Sequence, residues 1–215
     1  RLMARKCRYV LTSFPETAER FKNGKYCGSP LRKELFNGRR TEAIKKYGLA
    51  AGKKTVLVFG GGSGSRAIND GLRKYVSALS RKYNVLHLCG KGNVVESNIP
   101  CYVQKEFEPD MGAAYAAADL VVSRAGSNAI FEILALKKPS LLIPLEGQSR
   151  GDQAENAAYF QKRHLCRVLK QADMDFLPEA IEDALADEEL LSALAVSDFA
   201  GGNSNILHEL HRFLV

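Results

Sequence analysis

Short polar side chains, a glycine and a carboxylate stand together in the stretch 122–132, where an apolar run gives way to a helical pattern. Gly126 predicts a tight turn after a buried strand, and Ser127 and Asn128 are typical caps for a helix that starts near residue 129. Such a helix start carries unpaired N–H groups and a partial positive charge, which bind anions. Glu132, about one turn further on, could accept hydrogen bonds from ribose hydroxyls. The alternative is an ordinary capped junction in which Glu132 adds only a favourable first-turn charge.

A second candidate site is the glycine loop, residues 60–65, which follows the apolar run 54–59 and precedes a predicted helix. A strand, a glycine loop and a helix in succession are typical of phosphate and nucleotide sites. The loop lacks the Gly-Lys-Ser/Thr ending of a P-loop and matches the dinucleotide fingerprint only in part. An NAD-type oxidoreductase is therefore the weaker alternative, because the next strand carries Leu86, His87 and Leu88 where the fingerprint requires an acidic residue.

Cationic and amide side chains complete the inventory, namely Arg32, Arg66, Arg124 and Gln153. With backbone N–H donors they suit the binding of a nucleoside diphosphate and the stabilisation of its negative charge as it leaves. The sequence contains no Ser-His-Asp arrangement, and its histidines and cysteines do not cluster as metal ligands, so no metal site is predicted. Two alternatives stay open: Gln153 as a solvated first-turn residue, and Arg124 as the structural partner of an upstream carboxylate.

Alternating strand and helix patterns predict how these residues are positioned. Apolar runs predict strands at 54–59, 84–89, 101–104, 119–123, 140–145 and an edge strand at 166–169, with helices between them. Ser13 and Asp110 are predicted to cap the helices that follow them. The fold class is α/β, a Rossmann-like parallel sheet with helices on both faces, whose strands all end at one edge. That edge would gather the glycine loop, Phe107, Gly126 and Gln153 into one crevice.

Composition limits the remaining possibilities. The 215 residues carry a net charge of +7, and residues 1–54 alone hold 15 Lys and Arg against 4 Asp and Glu. Such a basic segment suits phosphates or an anionic surface, but no nucleic-acid-binding motif accompanies it. No apolar run approaches the ~20 residues of a membrane span. The five cysteines lie far apart, mostly in apolar runs, and are predicted to be buried thiols rather than a disulfide framework.

Several motifs match one known family in order and spacing. The matching pieces are Ser13–Thr17, Gly28–Arg32, Gly60–Arg66, Glu106-Phe107, Asp110-Met111, Ser123–Gly126, Glu132, Leu141–Pro144, Ser149–Gln153 and Asn156. Over roughly residues 5–165, the chain resembles the C-terminal half of the MurG family of bacterial peptidoglycan N-acetylglucosaminyltransferases, in glycosyltransferase family 28. The resemblance implies the GT-B architecture, in which two Rossmann-like domains enclose a cleft and the C-terminal domain binds UDP-N-acetylglucosamine (UDP-GlcNAc).

The resemblance also implies roles for individual residues. Arg32 would approach the diphosphate, and the loop Gly62, Ser63, Gly64 and Ser65 would line the diphosphate and the sugar. Phe107 and the backbone of Glu108 would contact uracil, and Met111 and Gly126 would be further substrate-binding residues. Amides of Ser127, Asn128 and Ala129 would bind the diphosphate, Glu132 the ribose, and Asp152 and Gln153 the GlcNAc hydroxyls. The chain departs from the family pattern in two places. Many members have a serine where Gly62 stands. The triplet Ser127–Ala129 replaces one of the Ala-Leu-Thr type, which could shift a hydroxyl contact to phosphate onto Ser127.

The wider implications concern the whole protein. Residues 1–215 would be one UDP-GlcNAc-binding domain, and the acceptor domain with the presumed catalytic base would lie on an N-terminal part that is absent. The reaction would be inverting transfer of GlcNAc to the lipid-linked muramoyl-pentapeptide (lipid I to lipid II), without a cofactor. The full-length protein would be peripheral to the cytoplasmic face of the bacterial membrane, with no nucleic-acid partner, and would serve cell-wall synthesis, cell shape and division. The alternative is a free-standing, non-catalytic nucleotide-sugar subunit that needs a membrane partner.

Overall fold

The computed structural model describes residues 3–145, 152–199 and 201–214, apart from the side chains of residues 5, 213 and 214. The chain divides into two compact units, a small one of residues 1–32 with 198–215 and a large one of residues 33–197. The strands are β1 (Val10–Thr12), β2 (Gly24–Tyr26), β3 (Thr55–Phe59), β4 (Asn84–Leu88), β5 (Tyr102–Lys105), β6 (Leu120–Ser123), β7 (Ser140–Leu142) and β8 (Arg167–Val168). The α-helices are α1 (Pro15–Glu19), α2 (Arg40–Lys46), α3 (Arg66–Lys82), α4 (Met111–Ala117), α5 (Ser127–Ala135), α6 (Asp152–Gln161), α7 (Leu177–Ala186), α8 (Glu188–Val196) and α9 (Asn203–Leu214).

The large unit is built on a six-stranded parallel sheet in the order β5-β4-β3-β6-β7-β8. Its centre is β3, which pairs with β4 through Thr55 and Asn84 and with β6 through Val56 and Leu120. All residues of β3, β4 and β6 are buried, as expected for continuous apolar runs covered on both faces. The predicted fold class and the predicted edge strand β8 are confirmed.

The core forms where helices pack on the sheet. In α3, Ile68, Leu72, Val76 and Leu79 share one buried face, as their helical spacing predicts. The Ser65 hydroxyl caps this helix and accepts a hydrogen bond from the Ile68 amide at 3.5 Å. The glycine loop therefore ends in a helix whose start is anchored by its own cap.

Two predicted caps are wrong. Gly126, not Ser127 or Asn128, is the N-cap of α5, because its extended backbone (φ −70°, ψ 137°) lets the helix start already at Ser127. In α1 the cap position belongs to Phe14, which gives no side-chain cap, while the Ser13 hydroxyl donates to the Gly28 carbonyl at 3.3 Å. The predicted cap at Asp110 is confirmed, since its carboxylate accepts from the Ala113 amide at 3.0 Å.

The small unit combines the parallel pair β1–β2 with α1 and α9. The Asn203 side chain bonds both the amide and the carbonyl of Leu31, each at 2.7 Å. Gly28 has a φ of +80°, and a Cβ at this position would lie only 3.1 Å from the Gly202 Cα, so the close approach of the two backbones requires glycine. Among the described residues, no helix is both long and apolar enough to cross a membrane.

The cysteines follow the prediction only in part. Cys27, Cys89 and Cys166 are buried thiols, as predicted. Cys7 is exposed because it lies before β1 in a segment whose residues 6–8 are all exposed, and Cys101 is half-buried because it leads into the edge strand β5, whose residues are all half-buried.

A buried polar network links α3 to strands β4 and β5 through His87, which has no exposed surface. Asn69 donates through Nδ2 to the Cys89 carbonyl at 2.8 Å, so its Oδ1 is the acceptor that faces His87 Nε2 at 2.9 Å. The proton of the neutral ring is therefore on Nε2, and Nδ1 accepts from the Tyr102 hydroxyl at 2.9 Å. The same network holds the Cys89 carbonyl in place.

This network makes stability dependent on pH. Burial, with a smaller contribution from the Arg73 charge, lowers the pKa of His87 from 6.5 to about 4. Between these values the unfolded chain binds a proton that the folded chain excludes, so we expect the free energy of unfolding to fall by up to about 3 kcal/mol as the pH drops. Denaturant unfolding across this range measures the loss. A His87→Gln variant is expected to be less stable at neutral pH, but its free energy of unfolding should no longer show the part of the pH dependence that His87 causes. An unchanged pH dependence in this variant would contradict the prediction.

Candidate functional site

A cleft of about 460 Å³ opens in the large unit at the carboxyl ends of β3, β6, β7 and β8. The strands end at this edge because the sheet is entirely parallel. The cleft is lined by Phe59, Gly60, Gly61, Gly64, Ser65, Arg66, Ala67, Arg124, Gly126, Ala129, Leu145, Gln153 and Gln171. From among the residues that the sequence singled out, the structure thus brings together Gly64, Ser65, Arg66, Arg124, Gly126, Ala129 and Gln153.

The glycine loop forms one wall through close backbone packing. Its Gly64 amide donates to the Gly61 carbonyl at 3.0 Å, and the positive φ of both residues (+77° and +92°) makes this tight turn possible. A Cβ on Gly64 would lie 2.2 Å from the Cys89 carbonyl oxygen. Gly61, Gly62 and Ser63 form the exposed part of the loop. The wall is therefore rigid at Gly64 and open to solvent at its tip.

Arg124 ties the walls of the cleft together and is almost fully buried, at 9% exposure. Its guanidinium donates to the Ser65 hydroxyl at 2.7 and 3.1 Å, and to the Ile143 and Pro144 carbonyls at 3.1 Å each. A further bond of 2.7 Å reaches the Gln171 side chain. Through these contacts Arg124 fastens the cap of α3 and holds its guanidinium beside the glycine loop.

The start of α5 forms the opposite wall. Ile130 makes the first hydrogen bond of the helix, to the Gly126 carbonyl at 3.1 Å, so the amides of residues 127–129 precede it. Ser127 and Asn128 are exposed, whereas Ala129 is half-buried and lines the cleft. Glu132 is half-buried one turn along and accepts a hydrogen bond from the Tyr115 hydroxyl at 3.0 Å.

The predicted base-contacting segment follows β5. Phe107 is 64% exposed, whereas the neighbouring Glu108 side chain is only 1% exposed. Glu108 pairs with Lys46 at 3.2 Å and with Lys105, and it accepts from the Asp110 amide at 3.0 Å. Burial alone would raise the pKa of the Glu108 carboxyl, but these hydrogen bonds outweigh it and lower the pKa. The carboxylate thus fixes a turn that leaves the Phe107 ring at the surface, and the half-buried Met111 starts α4 immediately after it.

The remaining predicted residues lie partly in the cleft and partly outside its lining. Gln153 uses its side-chain oxygen to accept from the Leu145 amide at 3.0 Å, which leaves its NH₂ group as the donor suited to a sugar hydroxyl. Asp152 is exposed, and its carboxylate accepts from the Gln153 amide at 3.1 Å. Arg32 is exposed in the small unit. Residues 149–151, which contributed to the family resemblance, lie outside the described residues.

Sequence reasoning missed Gln171, Leu145 and the support that Tyr115 gives to Glu132. Gln171 lies just beyond the predicted edge strand 166–169, and Leu145 is the last residue of the predicted strand 140–145, so each stands at a predicted strand end. The rule that strand ends meet at one edge could have found both. Tyr115 carries no such signal, because its contact to Glu132 joins two helices.

The comparisons with known proteins assign the chain to a family. The family model described as "Glycosyltransferase family 28 C-terminal domain" matches residues 55–199. The chain belongs to this family. That stretch contains both walls of the cleft, so the site geometry and the family assignment concern the same part of the chain.

Curated relatives carry one shared name. The protein of Clostridium perfringens (strain SM101 / Type A) is 38% identical over 210 residues, which are 94% of this chain and 59% of that protein. The protein of Oceanobacillus iheyensis is 45% identical over 170 residues, 77% of this chain and 48% of its own length. Both are named UDP-N-acetylglucosamine--N-acetylmuramyl-(pentapeptide) pyrophosphoryl-undecaprenol N-acetylglucosamine transferase. The chain therefore spans 59% or less of these two relatives, and its resemblance to the MurG family is confirmed.

Solved structures confirm the fold. Acinetobacter baumannii MurG superposes with a TM-score of 0.65 at 20% identity, covering 91% of this chain and 58% of that one. The calicheamicin glycosyltransferase CalG4 superposes with a TM-score of 0.69 at 15% identity, covering 96% and 52%. At such low identity the likeness supports the shared glycosyltransferase fold alone.

Proposed function

We propose that this chain is the donor-binding domain of an inverting N-acetylglucosaminyltransferase that uses UDP-GlcNAc. The observation that carries the proposal is the cleft, where a glycine loop, a buried arginine and the start of α5 converge within about 460 Å³. These are the groups that a nucleoside diphosphate requires: N–H donors, a helix dipole and positive charge. The relatives' shared name supplies the specific donor and the acceptor.

The spacing along α5 fits the order of groups in a nucleotide sugar. The amides of residues 127–129 would bind the diphosphate, and Glu132 would bind the ribose. Asn128 and Glu132 are four positions apart in the helix, which places them on the same face about 6 Å apart along the axis. Phe107 would contact uracil beyond the ribose, and Arg32 would approach the diphosphate. Asp152 and the Gln153 NH₂ group would hold the GlcNAc hydroxyls.

The chemistry proposed for the whole protein is direct displacement at the anomeric carbon. A hydroxyl oxygen of the lipid-linked muramoyl-pentapeptide forms the new bond to this carbon while the bond to the diphosphate oxygen breaks, which inverts the centre. The transition state resembles an oxocarbenium ion, and negative charge develops on the departing UDP. The contribution of this domain would be to stabilise that charge through backbone donors, the α5 dipole and Arg124.

The rest of the reaction would depend on a part of the protein outside this chain. We propose that residues 1–215 form the UDP-GlcNAc-binding domain, and that an N-terminal domain supplies the acceptor site and the base. Transfer to a lipid-linked acceptor in peptidoglycan synthesis places the whole protein at the cytoplasmic face of the bacterial membrane as a peripheral protein. No cofactor is required by this scheme, because the leaving-group charge is met by the residues named above.

A titration of the 215-residue chain with UDP tests the proposal. We expect saturable binding, with changes in NMR chemical shift concentrated at residues 60–65, 107 and 126–132. These segments either line the cleft or carry the proposed contacts to the nucleotide. NAD⁺ is the control ligand, since the oxidoreductase alternative predicts that it binds at the glycine loop. A folded chain that does not respond to millimolar UDP, or that binds NAD⁺ in preference, would refute the proposed function.

A further inference from the structure

The hydroxyl group of Tyr115 contacts Glu132, the side chain that is proposed to bind the ribose. Tyr115 lies in α4 at only 1% exposure, and its hydroxyl donates to Glu132 Oε2 at 3.0 Å. Glu132 itself is half-buried in α5, close to the amides that start that helix. A hydrogen bond to a carboxylate is stronger than one between neutral groups, so it constrains where the Glu132 oxygens lie.

We infer that Tyr115 is a positioning residue that orients Glu132 to discriminate nucleotides by their ribose hydroxyls. The inference rests on the proposed function. A carboxylate can accept about four hydrogen bonds, so accepting one from Tyr115 is compatible with accepting others from ribose hydroxyls. Tyr115 does not touch the nucleotide in this arrangement; it acts through Glu132.

The Tyr115 ring is well suited to this task because other contacts hold both the ring and the start of the helix that carries it. Its edge packs against the Phe59 ring, with centroids 6.1 Å apart and an interplanar angle of 76°. Phe59 ends β3 and lines the cleft, so the tyrosine is braced against the central strand of the sheet. At the start of the same helix, Asp110 caps the backbone and pairs with Lys46 at 2.9 Å. The donor is therefore fixed before any ligand arrives.

A fixed donor matters because glutamate is a flexible side chain. Ordering such a side chain on binding costs conformational entropy. A hydrogen bond that already selects one orientation removes part of this cost from the binding step, which is preorganisation. Loss of the donor should therefore weaken the contact between Glu132 and the ribose hydroxyls and leave the other contacts of the nucleotide unchanged.

The opposing explanation is that the hydrogen bond only joins α4 to α5. In that case its loss would affect stability, or would weaken every ligand to the same degree. The two explanations differ in whether the effect depends on the hydroxyl groups of the ligand. A thermodynamic cycle that removes the tyrosine hydroxyl from the protein and the ribose hydroxyls from the ligand distinguishes the two explanations.

The experiment measures calorimetric affinities of the full 215-residue chain for UDP and for 2′,3′-dideoxy-UDP. The test variant is Tyr115→Phe, which deletes one hydroxyl and keeps the ring that packs on Phe59. We expect the affinity for UDP to fall about fivefold and that for the dideoxy ligand to stay within about twofold, as the loss of one hydrogen bond implies. In a Glu132→Ala background, Tyr115→Phe should cause no further selective loss.

Tyr102→Phe is the matched control, because it deletes a phenol hydroxyl that bonds His87 and lies outside the residues lining the cleft. It should leave the preference for UDP over the dideoxy ligand unchanged. Equal losses for both ligands in Tyr115→Phe, or no loss for either, would overturn the inference while UDP binding by the unaltered chain kept the proposed function intact. Failure of the unaltered chain to bind UDP would instead reject the proposed function, and the inference with it.

Discussion

Replacing Arg124 with methionine is expected to lower the free energy of unfolding by about 3 kcal/mol, although methionine keeps much of the buried volume. The loss arises because the Ile143 and Pro144 carbonyls would each lose a buried donor at 3.1 Å. The Ser65 hydroxyl would lose two bonds at the same time, which weakens the cap of α3. We also expect UDP binding to weaken, because a positive charge beside the glycine loop disappears.

Arg66→Met is the matched control for this prediction. Arg66 also lines the cleft, but its side chain is 95% exposed and lies 3.8 Å from Asp70, a solvated pair. Its replacement should change the free energy of unfolding by no more than about 0.5 kcal/mol. Urea unfolding of both variants measures the difference. Equal stabilities would show that Arg124 contributes charge alone and does not support the walls of the cleft.

Replacing Gly64 with alanine is expected to destabilise the chain by at least about 3 kcal/mol, through backbone strain combined with a steric clash. The backbone φ of +77° is unfavourable for any residue with a Cβ, and that atom would lie 2.2 Å from the Cys89 carbonyl oxygen. The carbonyl cannot move aside easily, because the Asn69 side chain holds it at 2.8 Å. The glycine loop must therefore move instead, and we expect UDP affinity to fall at least tenfold, the factor that about 1.4 kcal/mol of lost binding energy produces.

Gly62→Ala separates this steric requirement from a general need for glycine in the loop. Gly62 lies two residues away, and a Cβ built there meets no atom within 4 Å. We expect its thermal midpoint to stay near that of the unaltered chain, whereas Gly64→Ala should unfold well below it. If the two variants melted together, the contact between Gly64 and the Cys89 carbonyl would not be the constraint that shapes the loop.

The sequence allowed most of the fold to be predicted, because its signals are local and strong. Apolar runs separated by helical patterns predicted a parallel sheet, and strand ends predicted the edge where the cleft lies. Helix starts were predicted less well. The sequence pattern favoured Ser127 and Asn128 as caps, but Gly126 occupies that position, since a single extended residue decides where the helix begins.

By itself, the sequence determined the fold class, the glycine loop, the presence of a helix after Gly126 and the motifs that identify the family. Each of these depends on residues that are close along the chain, where periodicity and turn chemistry are decisive. The tertiary structure alone decided which side chains support the site. Arg124 meets Ser65 across 59 residues, and Glu108 meets Lys46 across 62. The contact of Tyr115 with Glu132 joins two helices whose approach is set by how each of them packs in the fold. Such contacts follow from packing in three dimensions, and no local pattern specifies them.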